Sequence, residues 1–160
     1  MKGLWLAATL LTVVLPAHAD AGAHPPTQST RTLDAGAAEA AAAVDAFHAA
    51  LRRGDAAAAA ALMADEAIIF ESGEVERTKA EYVAHHLPAD TQFEKEVASA
   101  VTDRTGGSEG SLAWIATEGR ITGSYKGKPL DRLTTETMLL RRTDNGWKIT
   151  HIHWSSGAAK

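Results

Sequence analysis

Apolar residues recur at helical spacing in the first half of this chain and in long strand-like runs in the second. Between residues 35 and 64 alanine dominates, and Val44, Phe47 and Leu51 lie three and four apart, the spacing of one helix face. Arg53-Gly54-Asp55 interrupts the stretch. Glycine enters the left-handed conformation that ends a helix, and the aspartate beside it can cap the next, so two tightly joined helices are predicted, the second carrying Leu62 and Met63. Residues 67–70 (AIIF) read as a strand and Glu71-Ser72-Gly73 as its turn. Thr78-Lys79-Ala80-Glu81 has the form of a capping box and opens a helix that Pro88 is expected to close. On that helix Tyr82 and His86 share a face, and Glu81 and His85 share the next.

Everything after Pro88 is predicted as β structure. The runs 93–104, 111–125, 132–142 and 147–156 are broken by Thr105-Gly106-Gly107, Lys126-Gly127-Lys128-Pro129 and Thr143-Asp144-Asn145-Gly146, and Asn145-Gly146 is a strong hairpin signal. Four strands joined by short turns make an antiparallel sheet, with the helices covering one face. The predicted fold class is α+β.

The amino terminus changes the picture of where this domain works. Met1-Lys2 precedes a thirteen-residue apolar run, residues 3–15, then Pro16 and the small-x-small triplet Ala17-His18-Ala19. A membrane-spanning helix needs about 20 apolar residues, so residues 1–19 are expected to be a cleaved signal peptide and the mature chain periplasmic or secreted, with no membrane segment left. Residues 20–34, rich in Gly, Pro, Ser and Thr, are expected to be a flexible leader, residues 35–156 one domain and 157–160 a tail. Cleavage after Ala21 instead would expose Gly22-Ala23-His24, a chelating end for Cu(II) or Ni(II). Loss of residues 1–19 takes Lys2 with it and leaves 15 basic against 20 acidic side chains, a net charge of −5. That balance argues against a nucleic-acid partner, which needs concentrated basic surface. Cysteine is absent, so an exported domain of this length must be held by its core.

The order of elements carries a resemblance. Paired helices about Gly54-Asp55, a short strand, a third helix and a meander ending in the hairpin Asp144-Asn145-Gly146-Trp147 and the strand Trp147-Lys148-Ile149-Thr150-His151-Ile152-His153-Trp154-Ser155 resemble the nuclear transport factor 2-like superfamily, in its SnoaL-like and kinase-association-domain-like branch. The resemblance covers about residues 40–156 and implies a cone-shaped fold, a bent sheet wrapped around helices and an internal pocket, commonly with dimerisation through the outer sheet face. It does not imply one chemistry, because the superfamily includes isomerases, cyclases, dehydratases and binding modules.

Strict alternation along the last strand places Trp147, Ile149, His151, His153 and Ser155 on one face, toward the core and pocket. Ile152 and Trp154 then fall on the outer face, where they are expected to form part of a homodimer interface. A two- or four-residue loop in the last hairpin adds Glu136 and Met138 to the histidine face, whereas a three-residue loop offers Thr135 and Thr137. The candidate site residues are His86, His151, His153 and Glu136, followed by Tyr82, Glu118 and Glu71. Three readings of the set stay open. It forms polar structure satisfied by internal hydrogen bonds; it lines a small-molecule pocket with the acid/base capability of an isomerase or dehydratase; or His86, His151 and His153 bind Cu or Zn. No nucleophile motif or phosphate loop is present. His48, beside Phe47, reads as a surface or boundary residue.

Overall fold

The computed structural model describes residues 32–159. The expected signal peptide, residues 20–31 of the expected leader, the alternative amino-terminal chelate and Lys160 of the expected tail lie outside the described residues. Helices α1 (Ala38–Arg53) and α2 (Ala56–Ala61) are followed by strands β1 (Met63–Glu71) and β2 (Glu74–Glu76) and helices α3 (Lys79–His85) and α4 (Leu87–Glu96). Strands β3 (Val97–Glu109), β4 (Leu112–Tyr125), β5 (Lys128–Thr143) and β6 (Gly146–Ala158) complete the chain. They form one six-stranded sheet in the order β2-β1-β6-β5-β4-β3, antiparallel except where β1 runs beside β6. The class is the expected α+β.

Local chemistry explains most boundaries. Gly54 ends α1 at φ 72°, and the Asp55 side chain accepts the Ala58 N–H at 3.0 Å to cap α2. That helix is shorter than the alanine run suggested: Leu62 is its C-cap and Met63 already begins β1. Thr78 caps α3 by accepting from Glu81 N–H, while the Glu81 carboxylate reaches back to Arg77 N–H. Pro88 does not introduce β structure. It sits in the first turn of α4, where a missing N–H costs nothing, so residues 93–96 are helix and β3 starts at Val97.

One expected interruption, Thr105-Gly106-Gly107, is also absent. Gly106 and Gly107 lie inside β3 because an extended segment packs against them: Leu33 forms a bridge to Gly106, and a side chain on Gly106 would meet Ile115, the Trp114 carbonyl and Leu33. Asp34 accepts from Ala37 N–H at 2.7 Å and Ser108 N–H at 3.1 Å. Leu33 and Asp34, counted with the leader on sequence, are thus tied to the domain, as Gly157 and Ala158 of the expected tail are to β6.

Val44, Phe47, Leu51, Tyr82 and Leu87 from the helices pack on Ile69, Ile115, Met138, Leu140, Ile149 and Ile152 from the sheet. Ile152 overturns the expected facing of the last strand. Leu140 pairs with Ile149 but Leu139 pairs with His151, so Thr150 is an extra residue in β6, its hydroxyl donating to the Leu139 carbonyl at 3.1 Å. One inserted residue inverts every later side chain. Trp147 and Ile149 face the helices as expected. After the bulge, Ile152 is fully buried and Trp154 packs against the core, while His151 and His153 turn to the outer face. A homodimer interface therefore cannot be built on Ile152 and Trp154.

Candidate functional site

The candidate pocket grows from one row of the sheet. Register aligns Glu71 of β1 with Trp154 of β6, Glu136 of β5, Thr117 of β4 and Arg104 of β3. All five border a cavity of about 360 Å³ between the sheet and helices α1 and α4. Inward alternation along β5 explains why Glu136 faces this space, beside buried Met138 and Leu140. On α1, His48 lies four residues after Val44 and three before Leu51, on the edge of the buried stripe.

His48 Nε2 donates to Glu136 Oε2 at 2.7 Å, and Trp154 Nε1 donates to the same oxygen at 2.7 Å. Phe47 stacks on Trp154 with ring centroids 6.3 Å apart, so the indole is held from both sides of its bond. Burial alone would lower the His48 pKa, but the hydrogen bond and charge of Glu136 outweigh it and the pKa is raised. Burial correspondingly pushes Glu136 up, while His48 and Trp154 pull it down further, leaving it below its ordinary value. Both shifts describe an imidazolium–carboxylate pair. Glu136 Oε1 is buried with no hydrogen-bond partner among the described residues, an uncommon state for a carboxylate oxygen.

A second acidic group flanks the first. Tyr82, buried on α3, donates to Asp90 Oδ2 at 2.6 Å. Burial raises the pKa values of Asp90 and of Glu71, neighbouring carboxylates add to both shifts, and Tyr82 is raised as well by burial and by Asp90. Glu71 and Asp90 both border the cavity. His86 stands behind them at the sheet edge, against buried Glu76 and 3.0 Å from Glu74, with its pKa raised because these carboxylates outweigh burial. The arrangement offers a proton donor, His48, opposite two carboxyl groups whose acidity is weakened toward the working range of a general base.

Of the sequence candidates, the structure brings Glu136 and Glu71 to the cavity, with Tyr82 one hydrogen bond behind it. Glu118 is exposed on the outer face, because the inward positions of β4 are the odd ones from Ala113 to Ile121. His151 donates to the Ile68 carbonyl at 2.9 Å and packs with Phe70 on the same outer face as His153. The Cu or Zn shell that one of the three readings drew from His86, His151 and His153 is not assembled, because His86 lies at the edge of the sheet and His151 and His153 on its outer face. Among the described residues no group of three or more His, Asp or Glu side chains is arranged to hold a metal ion. His48, expected only as a surface or boundary residue, sits at the boundary and takes part in the site, and Asp90 and Trp154 join it without having been site candidates. The spacing of His48 from Val44 and Leu51 was the available signal.

With this geometry in hand, comparison with known proteins becomes informative. A SnoaL-like domain family model matches residues 40–159. The chain belongs to the SnoaL-like domain family. Among solved structures it is similar to a candidate ketosteroid isomerase from Shewanella frigidimarina, 37% identical, covering 73% of this chain and 94% of that one with a TM-score of 0.70. A candidate calcium/calmodulin-dependent kinase II association domain from Xanthomonas campestris is 24% identical over 74% of this chain and 86% of its own, TM-score 0.62. A candidate dehydratase of the NTF2-like family from Streptomyces avermitilis is 22% identical over 76% and 95%, TM-score 0.63. These last two speak for the fold alone, the nuclear transport factor 2-like one. No curated protein matches the chain.

Proposed function

We propose that this chain binds a small organic molecule in its cavity and moves a proton on it, the chemistry of an isomerase or dehydratase acting beside a carbonyl. The row Glu71, Trp154, Glu136 carries the reading, because it joins a buried ion pair, a carboxyl of raised pKa and an aromatic wall at one cavity, with Asp90 of α4 on the same lining. In this reading Asp90 or Glu71 takes the proton next to the carbonyl, and His48, charged by Glu136, donates toward the oxygen that gains charge. The unpartnered Glu136 Oε1 accepts from a hydroxyl of the ligand. The description of the Shewanella frigidimarina relative as a candidate ketosteroid isomerase supports the same class. The amino-terminal apolar run, read as an export signal, supports a role in the cell envelope or outside it.

The test is hydrogen–deuterium exchange at the α-carbon of a panel of cyclic ketones in deuterium oxide, followed by proton NMR. Exchange above the buffer rate, lost in Glu71→Gln with Asp90→Asn and reduced in His48→Ala, is expected. No acceleration for any ketone that binds would refute proton transfer.

Assembly as a homodimer is part of the proposal, with a revised surface. Trp114, Leu139, His151 and Ile68 align in one row across the outer face, and Trp114, Leu139 and Ile68 are each about 40% exposed. Sedimentation should give a dimer at micromolar concentration and a monomer for Trp114→Glu; a wild-type monomer would refute it.

A further inference from the structure

The cavity is not evenly charged along its length. Four arginines border it: Arg52, Arg104, Arg120 and Arg132. Two are neutralised. Arg104 Nη1 lies 2.6 Å from Asp45, and Arg120 makes two 2.6 Å bonds to Asp131. Arg132 differs, because its guanidinium is oriented by uncharged acceptors: Nε donates to Ser156 Oγ at 3.0 Å and Nη2 to the Ser156 carbonyl at 3.1 Å. Among the described residues neither Arg132 nor Arg52 makes an ion pair. Arg132 is only half-exposed, so its charge is fixed in direction and weakly compensated.

Its position relative to the acid/base groups follows from register. Arg132, Thr134 and Glu136 are successive inward residues of β5, so Arg132 stands roughly 13 Å along the strand from Glu136. It pairs with Ile121, which faces Ser99 in turn, and all three border the cavity. Helix α1 repeats the order, with Arg52 one turn beyond His48. Glu71 belongs to the Glu136 row, four strand positions from the arginine row. One end of the space thus holds the proton-transfer groups, and the other presents an oriented guanidinium that no carboxylate among the described residues pairs.

We infer that the ligand carries an anionic group, a carboxylate, sulfonate or phosphate, which Arg132 binds with Arg52 nearby, while its uncharged portion reaches His48 and Glu136. This rests on the cavity being the ligand site. It deepens that reading by assigning a substrate class: an amphiphilic acid about two rings long rather than a neutral hydrocarbon skeleton.

Two dyes with nearly the same skeleton separate the questions. Anilinonaphthalene sulfonate carries an anion and phenylnaphthylamine does not, and fluorescence titration reads the affinity of each. The anionic dye should bind about tenfold or more tightly than the neutral one, the gain of a charge-assisted contact. Arg132→Gln should abolish that advantage and leave the neutral dye unchanged, which also reports that the variant is folded, and Arg132→Lys should keep part of it. If both dyes bind alike and Arg132→Gln alters neither, the anion inference fails and the cavity reading survives. If neither binds saturably, both fail.

Discussion

Removing one member of the His48–Glu136 pair should cost far more than removing both. The Glu136 side chain is 9% exposed and that of His48 22%, so neither exchanges its bond for water easily. His48→Ala withdraws a charged donor and leaves Glu136 Oε2 with Trp154 Nε1 alone, beside an Oε1 that already has no partner. A hydrogen bond to a charged group contributes about 1.5–3 kcal/mol, and a buried ion stripped of its partner costs about 3–5 kcal/mol. We therefore expect His48→Ala to lose about 3 kcal/mol, and the double replacement His48→Leu with Glu136→Leu to lose less than either single Leu variant, because no uncompensated ion remains. The assay is urea unfolding of the four members of that Leu cycle, run at several pH values. Glu136, lowered in the fold, contributes stability present above its unfolded pKa and lost as pH falls through its folded value. His48, raised in the fold, contributes stability present below its unfolded pKa and lost as pH rises through its folded value. Coupling should therefore be largest between about pH 4.5 and 6.5 and vanish well above it. Additive single-variant losses, within about 0.5 kcal/mol, or coupling undiminished at alkaline pH, would show that the pair is not the ion pair described.

Other consequences are measurable with the same means. Glu71→Gln should raise the melting temperature at neutral pH and flatten its fall with pH. A carboxyl whose folded pKa is raised loses stability as pH climbs from its unfolded to its folded value, and the amide removes that slope. Tyr82→Phe deletes the hydrogen bond that holds Asp90 down, so carbon NMR titration should find Asp90 shifted further upward. Ile152→Ala should cost about 2–5 kcal/mol in urea unfolding, while Leu139→Ala, 43% exposed on the other face, should leave monomer stability within about 0.5 kcal/mol. Equal losses would contradict the inversion of β6.

That inversion separates what was legible in the chain from what was not. The Gly54-Asp55 junction, the Thr78 cap and the Asn145-Gly146 hairpin are local devices: each depends on residues three or four apart, and each stands where its chemistry put it. Glu136 was legible for the same reason, since a two-residue hairpin loop propagates parity along β5 without interruption. The bulge at Thr150 is not local in this sense. Nothing in Ile149-Thr150-His151 requires it; its justification is that Ile152 and Trp154 find Phe47 and Tyr82 of α1 and α3 beneath them, contacts separated by more than sixty residues. Two patterns compete on this strand, Trp147 and Ile149 in odd positions and Ile152 and Trp154 in even ones, and only an inserted residue turns all four toward the helices. His-x-His points into the pocket only if the alternation is unbroken, and the mismatch between the two apolar pairs is itself the sign of a break. The same correction moves the chemistry from the histidines of β6 to the tryptophan just beyond them, whose indole donates to Glu136 and thereby helps hold the carboxylate that charges His48.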